Sequence, residues 1–386
     1  MRRAYAILLF VVWAMIAASV PVPHGGGVRA EEEIVFGQSA DFAGSSSTLG
    51  INMRAGIAAA FGEVNSRGGV DGRKLRLITY NDDYEPEKAS KNIKKLINED
   101  EVFAIVGTVG TPTAKSSVPI VTVDGVPFVA PLTGAGFLRR KDIYPTVVNV
   151  RTTYEREAEA IVDYLVNERG LKRIAVFYQD DSFGFSGLNG VRKALESRGL
   201  RIIATASYAR NLKAIHSGYF KIRKARPEVI IMVAANRPAV EFVKFARSFG
   251  SKSVFAALSF VGSESFAFDL GEKAAGALIS QVVPLPWSDN PLANRYRKAL
   301  KVYAGGEVSP GFVSMEGYIA GRLIVDALGR VEGDLTRDKF LDVIFSGGPF
   351  DVDGLELVFS DTDNEGLQKV NLTRVADDGK SFEVVR

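Results

Sequence analysis

The chain of 386 residues has no cysteine and only two histidines, His24 and His216. Without cysteine there is no disulfide, no thiolate nucleophile and no acceptor for a lipid anchor. His216 lies in a stretch rich in Lys and Arg, far from any serine elbow, and reads as a surface helix residue rather than a general base. No P-loop and no H-E-x-x-H run occur. Gly184-Phe185-Ser186-Gly187-Leu188 comes near a nucleophile elbow, but its second glycine is misplaced. Gly134 and Gly136 are a fragment of a dinucleotide fingerprint, with Leu138-Arg139 where the third glycine belongs. These absences lead us to expect no catalytic residue, no metal and no cofactor.

The first 30 residues read as an export leader. Arg2 and Arg3 are followed by an apolar run from Ala4 to Ala18, then by Pro21, Pro23 and glycines. Val28-Arg29-Ala30 places small residues at the −3 and −1 positions before Glu31. The run falls short of the ~20 apolar residues of a membrane span. The whole chain has 48 Lys+Arg against 45 Asp+Glu. Arg2, Arg3 and Arg29 leave with the leader, so the remainder carries no formal net charge. That balance gives no reason to expect a nucleic-acid partner. The remaining length exceeds that of one ordinary core, so two lobes are expected.

From Glu33 to Val283, strand-like and helix-like segments alternate. Leu49, Met53, Ile57, Phe61 and Val64 recur at spacings of three and four, one face of a helix stopped by Gly68-Gly69. The alternation predicts α/β architecture with parallel sheets covered on both faces. The pattern restarts at Arg173: strand, polar loop with Gly and Ser, helix, then Arg-Gly, as in Glu33–Gly69. Two doubly wound parallel-sheet lobes follow from that echo. Beyond Pro284-Leu285-Pro286 come three helical stretches without strands, then a short β-rich tail. The expected division is 31–150 plus 284–355 for one lobe, and 151–283 plus 356–386 for the other.

In open parallel sheets, ligands bind beyond the carboxyl ends of the strands. Gly107-Thr108-Val109-Gly110-Thr111-Pro112-Thr113 follows a strand and opens a helix, with Thr111 suited to cap it and Pro112 to be its first residue. Such a helix start either holds an anion or is an ordinary cap with its N–H groups satisfied internally. Pro131-Leu132-Thr133-Gly134, Asp181-Ser182-Phe183, Asn236-Arg237-Pro238 and Ser259-Phe260 stand at comparable loops. Asp82-Asp83-Tyr84 reads as a turn ahead of Pro86, with cation binding as the alternative.

The order and spacing of these segments resemble the periplasmic leucine/isoleucine/valine-binding family of solute-binding proteins, which serve ABC importers. The resemblance spans nearly the whole chain after the leader. It rests on Phe36-Gly37-Gln38-Ser39 with Leu49-Gly50, on Val64-Asn65-Ser66-Arg67-Gly68-Gly69-Val70-Asp71-Gly72-Arg73, and on Asp82-Asp83-Tyr84-Glu85-Pro86. It extends through Gly107 to Thr113, Pro131 to Ala135, Phe183-Gly184 and Glu316-Gly317-Tyr318. It implies a type I periplasmic binding fold, two lobes joined by a three-segment hinge that close on a small molecule. It also implies a permease partner in the inner membrane, a periplasmic location and a monomer. By position, the carboxylate-holding groups fall on Thr111, Thr133-Gly134 and the backbone near Leu132, the neighbouring aromatic on Phe183, and a further wall on Leu49. Where the family's amino-acid binders place an acid to meet the ammonium, this chain has Ser259. An unpartnered ammonium is costly to desolvate. The expected solute is therefore a small carboxylate or amide, with an amino acid as the other option if Asp181, Asp41 or Glu316 substitutes. A sensor for a membrane signalling protein and an exported hydrolase are the alternatives of other classes.

Overall fold

The computed structural model describes residues 33–385 except 213, 214 and 307, so the leader lies outside the described residues. The first half runs β1 (Ile34–Ala40), α1 (Ser47–Asn65), β2 (Leu75–Asn81), α2 (Pro86–Asn98), β3 (Ala104–Val106), α3 (Thr111–Val123), β4 (Phe128–Val129) and β5 (Val147–Val148). Its strands form one parallel sheet in the order β2-β1-β3-β4-β5. Met53, Ile57, Phe61 and Val64 of α1 are buried, the face their spacing predicted. β3 and β4 are buried on both sides and read Ala-Ile-Val and Phe-Val, as a sheet covered by helices requires.

The second half runs α4 (Tyr154–Asp163), β6 (Ile174–Gln179), α5 (Ser182–Glu196), β7 (Ala204–Tyr208), α6 (His216–Lys224), β8 (Val229–Val233), α7 (Asn236–Ser248), β9 (Val254–Ala257), α8 (Ser263–Leu270) and β10 (Leu278–Gln281). β7-β6-β8-β9-β10 pair in parallel. The two halves thus share one winding plan, a two-lobed α/β fold with parallel sheets flanked by helices.

The chain then returns to the first lobe. α9 (Pro291–Tyr303) and α10 (Phe312–Gly329) pack against α1, and α11 (Arg337–Ser346) follows. Glu63 of α1 fastens them: it accepts from the Tyr318 hydroxyl and from Arg295 Nε, each at 2.8 Å. β11 (Phe350–Val352) and β12 (Leu355–Leu357) form a small antiparallel pair. Residues 364–367 still bond to the first lobe, where the Gly366 N–H donates to the Asn149 carbonyl at 2.8 Å. Pairing with the second sheet begins only at β13 (Asn371–Val375), antiparallel to β10, and ends with β14 (Phe382–Val384). His216 is exposed at the start of α6, its ring 4.4 Å from Phe245. Among the described residues, no helix is long and apolar enough to cross a membrane.

Candidate functional site

The carboxyl ends of both sheets face each other across a cleft, and the starts of α3 and α5 approach there. At α3 the sequence expectation needs a correction. Gly110, at φ 103°, takes the N-cap position, so Thr111 is already helical and Pro112 is second. A glycine is required because a Cβ at position 110 would lie 2.1 Å from the Tyr84 ring. Released from capping, the Thr111 hydroxyl shares a 2.7 Å hydrogen bond with that of Thr133. No side chain caps α3, leaving the positive end of its dipole beside this pair.

A third hydroxyl joins them. Tyr154 begins α4, and its N–H donates to the Gly134 carbonyl at 2.8 Å. A Cβ on Gly134 would come within 2.6 Å of that nitrogen, so glycine permits the approach. The Tyr154 hydroxyl is buried, has no hydrogen-bond partner, and lies close enough to Thr133 and Thr111 to feel both. Burial raises its pKa, so it remains a donor. Pro112 and Leu132 are buried beside this cluster, and the Leu132 N–H donates to the Thr108 carbonyl at 2.7 Å.

The second lobe supplies apolar walls. Phe183 and Phe260 are fully buried, their rings 4.6 Å apart, and Tyr154 stands 5.2 Å from Phe183. Asp181 caps α5, accepting from the Phe183 N–H at 3.0 Å, and also accepts from Gln179 Nε2 at 2.7 Å. α5 therefore starts at Ser182, directly after its Asp181 cap. Asn236 is buried at the head of α7 and donates to the Ser265 hydroxyl at 3.2 Å. Leu49 faces Gly262 across the lobes and lines an open groove of 540 Å³ with Phe268, Trp287 and Phe382.

Ser259 does not stand alone. Its hydroxyl accepts from Arg151 Nη1 at 3.1 Å, and its N–H donates to the Glu157 carboxylate at 2.8 Å. Arg151 also forms a two-pronged pair with Glu316. Burial opposes the Arg151 charge, but Glu316 more than offsets this and raises its pKa. Burial raises the Glu157 carboxyl as well, which for an acid favours the neutral form. Where the sequence suggested a lone hydroxyl, the structure has a guanidinium with its own counter-ions.

Across the rim the lobes touch. Arg210 Nη2 donates to Glu85 at 3.1 Å, Asn211 Nδ2 donates to Glu85 at 2.7 Å, and the Ser45 hydroxyl donates to Asn211 at 2.6 Å. The described conformation is thus a closed one. Arg151 and Tyr154 also lie in this region and were not named from sequence, Tyr84 was read only as part of the turn ahead of Pro86, and Gln179 lies in the loop that carries Asp181. Tyr84 and Tyr154 each follow a strand end, β2 and β5, which was the available signal.

The periplasmic binding protein family model matches residues 33–380. The chain belongs to that family. This periplasmic binding protein is 25% identical over 336 residues to "Leu/Ile/Val-binding protein homolog 7" of Brucella abortus, covering 83% of this chain and 82% of that one. Its fold matches a solved "possible leucine/isoleucine/valine-binding protein" from Rhodopirellula baltica at TM-score 0.87 and 33% identity, covering 92% and 97% of the two chains. A branched-chain amino acid ABC transporter structure from Thermus thermophilus with bound valine has TM-score 0.84 at 16% identity, covering 92% and 96%, a likeness of fold alone.

Proposed function

We propose that this periplasmic binding protein is the solute-capturing component of an ABC importer. In this reading a leader exports it to the periplasm. The lobes trap a small solute by hinge closure, and the closed form docks on a permease in the inner membrane. It acts as a monomer, binds no nucleic acid and performs no covalent chemistry. The names of its relatives support the transport role, and family membership supports the location.

The solute carries a carboxylate held by the Thr111, Thr133 and Tyr154 hydroxyls at the start of α3, with its body against Phe183 and Phe260. The observation that carries this is the buried, unpartnered Tyr154 hydroxyl beside the Thr111–Thr133 pair. Donors converging on a helix start suit an anion. The acids at that end, Glu316 and Glu157, are already taken up by Arg151, Ser259 and Ser280, so an ammonium would have to compete for a partner there. An amine-free acid is therefore favoured over an α-amino acid.

Two measurements test this. Mass spectrometry of small molecules released on denaturing the purified protein identifies any solute carried along. Calorimetry with 3-methylbutanoate, phenylacetate, leucine and valine compares the classes. Tighter binding of the amine-free acids is expected; binding of the amino acids alone would refute the amine-free assignment.

A further inference from the structure

The turn after β2 adopts a backbone its side chains resist. Asp83 and Tyr84 take φ of 51° and 60° in succession, a region that bulky L-residues seldom enter. Neighbouring groups hold them there. The Asp82 carboxylate accepts from the Tyr84 N–H at 2.9 Å and from the Ser39 hydroxyl at 2.8 Å. The Asp83 N–H donates to Asn81 Oδ1 at 3.3 Å.

What this arrangement achieves is the placement of one ring. The Tyr84 side chain is fully buried, lies on the Gly110 backbone at the start of α3, and sits 6.0 Å from the Phe260 ring of the other lobe. Its hydroxyl accepts from Gln179 Nε2 at 3.2 Å. Gln179 is itself fixed, accepting from the Tyr208 hydroxyl at 3.0 Å and donating to Asp181. A first-lobe ring therefore stands between the Thr111 side of the cleft and the aromatic floor of the second lobe.

We propose that Tyr84 sets the size of solute the cleft accepts, its ring closing one end of the space between the α3 start and Phe260. This rests on the carboxylate reading of the site. The ring packs on the α3 start and beside Phe260, so a solute seated between them has to fit beside it. The Gln179 contact holds the ring in the closed form and adds no size limit of its own.

The test compares the full-length protein with Tyr84→Phe and Tyr84→Ala. The probes are acetate, butanoate, hexanoate and 3-phenylpropanoate, and calorimetry reads their affinities. Tyr84→Ala should raise the affinity ratio of 3-phenylpropanoate to butanoate at least tenfold, whereas Tyr84→Phe should leave that ratio unchanged. Should Tyr84→Ala fail to fold by circular dichroism, Tyr84→Leu replaces it, with a smaller shift in the same direction. New binding of the bulky acid by the truncated variant alone also supports the assignment. An unchanged ratio, or no probe bound by any of the proteins, overturns it. The carboxylate reading fails separately, if 3-phenylpropanamide binds every protein as tightly as 3-phenylpropanoate does.

Discussion

Arg151 and Glu316 meet in a two-pronged ion pair, Nε to one oxygen at 2.8 Å and Nη2 to the other at 2.7 Å, with each side chain only 2% exposed. Arg151 lies on the segment leaving β5, and Glu316 lies in α10. The third arm of the guanidinium reaches Ser259 in the second lobe. One side chain thus ties the crossover to both lobes. Glu316→Gln leaves a buried cation with an incomplete partner, at a cost of about 3–5 kcal/mol. Urea denaturation should show that loss, and pairing the change with Arg151→Met should cost less than the two single changes summed.

Thr111→Ala and Tyr154→Phe each remove one hydroxyl from the cluster at the start of α3. Each should weaken solute binding by about 1–3 kcal/mol, the range for a hydrogen bond to a charged group. Titration calorimetry with the acid giving the largest thermal shift provides the comparison. Unchanged affinity in either variant removes that hydroxyl from the site.

Asp82 should make stability depend on pH. Burial pushes its carboxyl up to about 7, with Asp41 and Asp83 adding to the rise, although Ser39 and the Tyr84 N–H pull the other way. An unfolded aspartic acid titrates near 3.9. Between those values the folded protein holds a proton that the unfolded chain has lost, so stability is full below about pH 4 and falls as pH rises towards 7. The whole shift corresponds to at most about 4 kcal/mol. Melting curves at pH 4.5 and 7.5 should differ less in Asp82→Asn than in the parent.

The rim pair of Arg210 with Glu85 is partly exposed, 21% and 37% at the side chains, so it adds only about 0–1 kcal/mol. Its effect should be on closure. Arg210→Ala should enlarge the radius of gyration in small-angle scattering without solute, and high salt should do the same to the parent. An Arg210→Ala profile matching the parent's would show that the pair does not hold the lobes together.

The architecture was legible because it depends on local rules. Alternating apolar segments mark both sheets, and the helical region expected beyond Pro284-Leu285-Pro286 opens with α9 at Pro291. β7 is shorter than its apolar pattern, because the ladder with β6 begins only at Ala204, after the pair Ile202-Ile203. α8 passed unnoticed, since the left-handed Gly262 separates it from the preceding turn. The candidate site was half legible. Thr111, Thr133, Phe183 and Phe260 follow strand ends, where side chains meet by topology. Tyr84 depends on a left-handed turn and on Asp82, and Ser259 on an arginine 108 residues away, relations that no local pattern encodes.

The late pairing of β13 with β10 bears on how the protein is made. The Thr373 hydroxyl donates to the carbonyl of Ile279, 94 positions earlier in the chain. Until residues 371–375 emerge, β10 presents an open ladder to its surroundings. A translation product halted within α11 would carry a finished first sheet and an unfinished second one, inviting strand exchange between copies.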